Sequence, residues 1–298
     1  MNMAGACAGE CENVLDDVFL QDLVAKAAQY LCHLSSEAGI HGTSSGSGSN
    51  AIDSTLELIW DVSFSRSASE AMERHGCIQL LWGITFHADN GRVQELCLGA
   101  LANMCLQSAC CSRLLTLPDA AVACMSLCVP NGGLDVSSGS YVQALRLCRV
   151  VLGERAAAPL RAVLLQPFLE PQVCRQIVAL YPEGRTDTDC ELQSALTALV
   201  VYVLEAAPDC IHCAQVADSL IDAGLFRAAL HATRGERSDV PCIARLLASC
   251  QNYSQAHGLY SLCDEDCIAA ACAIMLTNSS TSCCSVGMVR ALCAFPSV

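Results

Sequence analysis

The segment VQELCLGALANMCLQ, residues 93–107, is rich in apolar and small side chains and also contains a glycine, Gly99, and an amide, Asn103. Its apolar residues recur with the spacing of a buried helix. A glycine inside a helix costs about 1 kcal/mol relative to alanine, which is tolerated where the helix approaches a neighbour closely. We therefore predict that Gly99 marks a close contact between two helices. The residues predicted to pack between helices are Leu96, Leu98, Leu101 and Met104.

The composition is that of a helix-rich globular chain. Of the 298 residues, 53% are hydrophobic but only 5% are aromatic. A β-sandwich or barrel would carry more aromatic and β-branched residues, so the sequence predicts an all-α fold. Both tryptophans, Trp60 and Trp82, are predicted to anchor the core.

The charge balance restricts the possible partners. The formal net charge is −14, and Lys26 is the single lysine. Because the sequence contains no basic block, most of its surface would repel a nucleic-acid backbone. A protein or peptide with a basic surface is the easier partner, and nucleic-acid binding is not expected.

No targeting or membrane segment is apparent in the sequence. Residues 1–17, MNMAGACAGECENVLDD, lack the basic and apolar regions of a secretory signal. The longest apolar run, Ala195–Leu204, spans about ten residues, whereas a membrane-spanning helix needs roughly 20. We expect a soluble intracellular protein without membrane association.

A Gly- and Ser-rich segment separates the first helical segment from the rest of the chain. Residues 41–50 read HGTSSGSGSN, which is typical of a flexible loop, and we assign this loop to residues 39–50. Residues 1–38 precede it as an N-terminal helical segment. After the loop, short apolar-periodic segments alternate with Gly- and Pro-containing breaks. Residues 51–298 are therefore predicted to be a chain of short helices, continuous with the N-terminal helix as one domain.

Several of these segments are similar to one another. Aligning LELIWDVS, residues 56–63, with LGALANMC, residues 98–105, places Asp61 at the position of Asn103, 42 residues later. Residues 142–152, VQALRLCRVVL, repeat the Val-Gln-x-Leu-x-Leu spacing of the first-quoted segment. Periods of about 40 to 50 residues are those of armadillo and HEAT helical repeats. The sequence thus predicts an α-solenoid in which neighbouring repeats share a core.

Residues 68–105, ASEAMERHGCIQLLWGITFHADNGRVQELCLGALANMC, resemble one complete armadillo repeat. Residues 68–74 correspond to its short first helix, and His75-Gly76 to the sharp turn after it. Residues 77–87 correspond to the second helix, and residues 93–105 to the long third helix, which ends in the ALxNM signature. Together with the preceding ELIWDVSFS, this repeat is similar to the serum-amyloid-A-like group of armadillo-type proteins. The resemblance implies an armadillo-type superhelix.

The same resemblance implies a function. Armadillo-type proteins of this kind are non-catalytic adaptors or scaffolds that hold a protein or peptide along their concave surface. The group further implies a nuclear or cytoplasmic location and a regulatory role in cell proliferation. Asn103 matches the asparagine that lines the armadillo groove, where its amide bonds to an extended peptide. Typical peptide-binding repeats also carry a tryptophan four residues earlier, where this chain has Gly99.

Three carboxylates are predicted to lie near the same groove. Asp61 is the equivalent of Asn103 in the preceding repeat, Glu57 lies one turn before it, and Glu95 belongs to the third helix. Together they would form an acidic edge for Lys or Arg side chains. The alternatives are a solvated helix face for the carboxylates and a bracing contact within its own repeat for Asn103. The predicted partner-binding residues are Asn103, Asp61, Glu57 and Glu95.

A second function is compatible with the same composition. The high apolar content and low charge also fit a structural subunit of a larger assembly, which would use exposed apolar helix faces instead of the groove. The size of the protein in solution distinguishes this alternative from an adaptor.

Cysteine is unusually frequent, with 23 residues. Many occupy positions where a core helix carries Ala or Leu, as Cys97, Cys105, Cys148 and Cys272 do, and we predict reduced, structural thiols. Cys210 and Cys213 form a C-x-x-C motif, but zinc sites usually combine two such pairs. A redox pair of the thioredoxin type is expected beside a βαβ unit, which is not apparent. We predict no metal, no cofactor and no catalysis, and a zinc or thiol enzyme is the least favoured alternative.

Overall fold

The structure is a computed structural model. It describes residues 16–37, 49–129, 134, 139–153, 158–181, 187–207, 210–232, 245–246, 249–250 and 253. Within these ranges the chain forms thirteen α-helices, a 3₁₀ turn at Gln166–Leu169 and no strand, which confirms the predicted all-α class. The helices are α1 (Asp17–Glu37), α2 (Ser49–Val62), α3 (Arg66–Arg74), α4 (Cys77–His87), α5 (Gly91–Met104), α6 (Ser108–Leu115), α7 (Ala120–Ser126), α8 (Gly139–Gly153), α9 (Ala158–Leu165), α10 (Pro171–Ala179), α11 (Asp187–Ala206), α12 (Ile211–Asp222) and α13 (Leu225–Ala232).

Helix α2 begins earlier than the sequence predicts. Ser49 and Asn50, which we assigned to the loop of residues 39–50, belong to its first turn. Ser and Asn occur both in loops and near helix starts, so a polar composition alone does not separate loop from helix here. The rest of that predicted loop lies outside the described residues, as does most of the chain after residue 232.

The three helices predicted within residues 68–105 are present as α3, α4 and α5, and local signals explain their ends. Ser65 caps α3, where its Oγ accepts a hydrogen bond from the Ala68 N–H at 3.4 Å. The turn between α3 and α4 is made by Gly76, whose φ of +80° is in the left-handed region that favours glycine. Asn90 caps α5, with its Oδ1 accepting from the Arg92 N–H at 2.8 Å. Each boundary is therefore encoded by the residues beside it.

Four helices that are far apart in the sequence form a continuous row. Helix α2 packs against α5, α5 against α8, and α8 against α11. We refer to these four helices as the central row. Each helix of the row also contacts a helix outside it, since α1 contacts α2, α4 contacts α5, α7 contacts α8, and α12 contacts α11. These eight helices share one core.

Helix α5 lies inside this arrangement. The four side chains predicted to pack between helices are at most 1% exposed: Leu96, Leu98, Leu101 and Met104. Trp82 is also buried, as predicted, and meets Phe86 edge to face with 4.8 Å between the ring centroids. Trp60 differs from the prediction because it is only partly buried, with its ring at the boundary of the core.

The close contact predicted at Gly99 is confirmed. A Cβ atom placed on Gly99 would lie 2.8 Å from Cζ2 of Trp60, which is closer than unbonded carbon atoms approach. The indole of Trp60 therefore occupies the space that any larger residue at position 99 would need. The glycine allows α2 and α5 to pack with the tryptophan ring between them.

We expect Gly99→Val to lower the free energy of unfolding by about 1–3 kcal/mol, because overpacking forces either the Trp60 ring or α2 to move. Chemical denaturation followed by circular dichroism measures the change. Gly91→Ala is the matched control, since a Cβ at Gly91 meets no atom within 4 Å. The control should be neutral or slightly stabilising. A Gly99→Val protein as stable as the control would contradict the close contact.

The described cysteines are free thiols, and most of them are buried. Cys97, Cys105 and Cys148 are fully buried, as predicted for structural residues, whereas Cys272 lies outside the described residues. Burial raises the pKa of the Cys97 thiol well above its usual value, which disfavours the reactive thiolate. These cysteines act as small core residues.

Candidate interaction groove

Side chains from all four helices of the central row surround an open groove with a volume of about 540 Å³. Helix α2 contributes one aromatic wall, α5 one carboxylate, α8 two guanidinium groups, and α11 mostly small residues. The lining residues are Trp60, Glu95, Val142, Gln143, Arg146, Arg149, Glu191, Ser194, Ala195 and Ala198. The groove is therefore lined by both apolar and polar side chains and carries charges of both signs.

Two of the three predicted carboxylates share an arginine. Arg92 Nη2 donates to Glu57 Oε1 at 3.0 Å, and Arg92 Nη1 lies 3.1 Å from Glu95 Oε2. The hydrogen bond to Glu57 is the main cause that raises the pKa of Arg92 above its usual value. The predicted acidic edge is thus partly neutralised by the chain itself. Arg92 was missed by the sequence reasoning, although its position three residues before Glu95 is a recognisable helical pair.

Asp61 differs from the other two carboxylates. It is exposed on α2, next to Trp60 in the sequence, and forms no ion pair with any other described residue. Its charge is consequently available to a partner, whereas the charges of Glu57 and Glu95 are already compensated by Arg92. Among the three predicted carboxylates, Asp61 is the one best placed to attract a basic side chain.

Asn103 lies under the groove and is 1% exposed. Its Nδ2 donates to Ser63 Oγ at 3.0 Å, and its Oδ1 accepts from Arg146 Nη2 at 3.3 Å. Ser63 follows α2 and Arg146 belongs to α8, so the amide links three successive helices of the central row. This bracing contact extends beyond the single repeat considered in the sequence analysis. A partner reaches the amide only if these two contacts open.

Two arginines on α8 were not singled out from the sequence. Arg146 is partly buried and donates to two neutral amide oxygens, Gln143 Oε1 and Asn103 Oδ1. Burial, and then the like charge of Arg149, lower the pKa of Arg146, while Glu191 opposes the shift. Arg149 is exposed and forms no ion pair with another described residue. These guanidinium groups give the α8 side of the groove a positive character that the net charge of −14 conceals.

The fluorescence of Trp60 can be used to probe the groove, because the only other tryptophan, Trp82, is 9% exposed and lies in the core. We expect a Trp82→Phe protein, which retains Trp60, to emit at longer wavelength and to be quenched by acrylamide several times more efficiently than a Trp60→Phe protein. The physical reason is the contact of the Trp60 ring with solvent at the groove. Equal quenching constants for the two proteins would contradict this placement of Trp60.

The described part of the chain contains no group of three His, Cys, Asp or Glu side chains arranged to hold a metal ion. In the same ranges, none of the helices combines the length and the apolar character required to span a bilayer.

No protein-family model matches the sequence, and no curated protein has significant sequence similarity to it. The fold is similar to three crystal structures of engineered proteins from the Northeast Structural Genomics Consortium. The first has a TM-score of 0.57 at 12% identity, with 92% of this chain and 98% of that chain covered. The second has a TM-score of 0.56 at 13% identity, with 93% of this chain and 97% of that chain covered. The third has a TM-score of 0.53 at 14% identity, with 93% of this chain and 62% of that chain covered. At such low identity the similarity concerns the fold alone.

Proposed function

We propose that the protein is an armadillo-type superhelix and acts as a non-catalytic adaptor that binds a protein segment along the groove of the central row. The observation that carries this proposal is the groove itself, because four helices that are successive in the row each contribute side chains to one open surface. Helical repeats create such extended surfaces when they stack. An extended segment can contact several helices of the row at once.

The charges in and beside the groove favour a segment of mixed charge. Asp61 would take a Lys or Arg side chain of the partner at the α2 end, as would Glu57 if Arg92 moved aside. At the α8 end, Arg149 and the partly buried Arg146 would take a carboxylate, because a guanidinium group binds carboxylates through two parallel hydrogen bonds. The partner is then bound in one direction, with its basic residue toward α2.

The cellular setting is part of the same proposal and rests on the serum-amyloid-A-like resemblance of residues 51–106. We propose a nuclear or cytoplasmic protein that regulates cell proliferation through its partner. Fractionation of cells that express the full chain checks the location, and a protein confined to another compartment would contradict it.

Charge reversal in the groove tests the adaptor. The full chain and an Asp61→Arg, Arg149→Glu variant are purified from cells with their associated proteins, which are quantified by mass spectrometry. Both substituted residues are exposed, so the fold should be unaffected, and circular dichroism checks this. The control is Asp222→Arg, an exposed charge reversal on α12 outside the groove. We expect the groove variant to recover specific partners at least about tenfold less well, as for loss of two interfacial charge contacts. Equal recovery by all three proteins would contradict the proposal.

A second candidate function, a structural subunit, is favoured by an apolar surface on another face. Phe86 on α4 is 48% exposed and Val122 on α7 is 44% exposed, and both line a shallow cavity of about 380 Å³. Light scattering of the purified chain distinguishes the two functions. A stable oligomer that Phe86→Ser dissociates would support the subunit, whereas a monodisperse monomer would contradict an obligate one.

A further inference from the structure

Helix α12 begins at a pair of cysteines in different environments. Cys210 is the residue that precedes the helix, with extended backbone angles of φ −145° and ψ 109°, and its side chain is partly exposed. Cys213 lies in the first turn and is fully buried. Each thiol affects the pKa of the other. The Cys210 side chain is thus the more accessible of the two, and Cys213 is enclosed by the core.

The surroundings stabilise a thiolate at Cys210 in particular. Burial raises the pKa of the Cys210 thiol. Hydrogen bonding to the backbone N–H groups of Cys213 and His212 and to the Cys213 thiol lowers this pKa, and so does the charge of Arg161. The net result is a pKa below the usual value of a cysteine. Free N–H groups and the helix dipole at a helix start favour negative charge in the same way. Burial raises the pKa of Cys213 to about 12. The pair therefore contains one nucleophilic and one protected sulfur.

The charge of Arg161 favours a thiolate at this position. This residue of α9 has a buried Nε that finds no hydrogen-bond partner among the described residues. Its positive charge acts on Cys210, on Cys213 and on Tyr202, whose hydroxyl donates to the Leu152 carbonyl. A buried guanidinium N–H without an acceptor is unfavourable, and a thiolate nearby offsets part of this cost.

We propose that Cys210 and Cys213 form a reversible thiol–disulfide exchange site that reacts with low-molecular-weight disulfides such as glutathione disulfide. This goes beyond the adaptor function and does not depend on it. The sequence leads one to expect a redox pair of the thioredoxin type beside a βαβ unit, whereas here the start of α12 and the charge of Arg161 would supply the electrostatic environment.

The exchange proceeds in two steps. The Cys210 thiolate attacks one sulfur of glutathione disulfide, the S–S bond of the reagent breaks, and one glutathione thiolate leaves. The Cys213 sulfur then attacks the Cys210 sulfur of this mixed disulfide, and the second glutathione thiolate leaves. The two protons of the cysteines end on the two glutathione molecules. The protein pair loses two electrons and two protons, and glutathione disulfide is reduced to two glutathione molecules.

Residues three apart in the first turn of a helix are close enough for a disulfide, which requires Cα atoms about 4.4–6.8 Å apart. The same protein offers a contrasting pair, Cys128 and Cys148, whose sulfur atoms are 2.9 Å apart. Both of these residues are fully buried, and burial raises the pKa of Cys148 well above its usual value. We therefore expect Cys128 and Cys148 to be unreactive despite their proximity, and they serve as an internal control.

The test treats the folded full-length chain with glutathione disulfide at pH 7, blocks the remaining thiols under denaturing conditions, and maps the peptides by fragmentation mass spectrometry. We expect a Cys210–Cys213 disulfide in the wild type and a trapped Cys210–glutathione adduct in Cys213→Ala. We expect neither product in Cys210→Ser, and unmodified Cys128 and Cys148 throughout. Absence of both the disulfide and the adduct from the folded wild type would overturn the proposal.

A second measurement requires no variant and is therefore independent of changes in folding. Cys32 is an exposed thiol on α1 and provides a reference rate for alkylation by iodoacetamide. At pH 7, Cys210 should be alkylated at least about threefold faster than Cys32, because the lowered pKa of Cys210 increases its own thiolate fraction. Cys213 should be the slower member of its pair. Alkylation of Cys210 at the Cys32 rate or below would contradict the proposed activation.

Discussion

We expect Leu101→Ala to lower the free energy of unfolding by about 2–5 kcal/mol, the cost of removing a buried leucine and leaving a cavity. Leu101 is completely buried on α5, and α5 packs against α2, α4 and α8. The surroundings have little freedom to collapse into the space, because the helix is held on several sides. Urea denaturation followed by circular dichroism measures the loss, which is a large part of the stability of an ordinary domain.

Leu58→Ala is the matched control for this prediction. Leu58 lies on α2 and is 44% exposed, so its truncation should change stability by about 0.5 kcal/mol or less. If the two variants were equally stable, α5 would not be the interior helix that the structure describes. A large loss confined to Leu101→Ala would support a core that α5 shares with its neighbouring helices.

Asn103→Ala is expected to cost about 2–3 kcal/mol of stability. The substitution leaves Ser63 Oγ without its donor and removes one of the two neutral oxygens that accept from Arg146. Hydrogen bonds to charged groups contribute about 1.5–3 kcal/mol, and a buried group that loses its partner adds to the loss. The same denaturation experiment measures this change.

The control for Asn103 is the exposed asparagine at the start of the same helix. Asn90→Ala removes the cap of α5 and should cost about 1 kcal/mol. The double variant Asn103→Ala, Ser63→Ala should be less destabilised than the sum of the two single variants, because both substitutions remove the same hydrogen bond between Asn103 and Ser63. An Asn103→Ala protein with unchanged stability would contradict the bracing role. Binding assays with this variant therefore require a check that it is folded.

The fold class and the helices near α5 were predictable because their signals are local. The cap at Ser65, the turn at Gly76 and the apolar spacing of residues 93–107 all lie within a few residues of the feature they determine. The contact at Gly99 was also predictable, since a glycine inside an otherwise apolar helix is unfavourable unless a neighbour needs the space. That the neighbour is Trp60 was not predictable, because it depends on how α2 and α5 align.

The details of the groove depend on contacts between distant segments, and the sequence reasoning missed them for this reason. Arg92 meets Glu57 across 35 residues, and Arg146 meets Asn103 across 43. Periodicity can place two residues on the same repeat, but it does not specify the rotation of each helix about its axis. A small rotation decides whether Asn103 faces a partner or its own chain. The mixed charge of the groove was hidden for the same reason.

The cysteine pair is a different case. The C-x-x-C motif of Cys210 and Cys213 is visible in the sequence, where a thioredoxin-type pair is disfavoured because no strand precedes it, and the exchange site is proposed from the structure. The relevant feature is local and helical, since Cys210 precedes the first residue of α12. The helix start provides N–H groups whether or not a sheet is present.

The most direct test of the adaptor proposal is site-specific photo-crosslinking from within the groove. A benzophenone amino acid is placed at Ala198, which lines the groove on α11, or at Val163, which is 44% exposed on α9 outside it. After irradiation in cells, mass spectrometry identifies the crosslinked segments. We predict that a defined segment of a partner crosslinks from Ala198 and not from Val163, and that Asp61→Arg with Arg149→Glu abolishes this product. Crosslinks that are equal from both positions, or that persist in the charge-reversed protein, would contradict it.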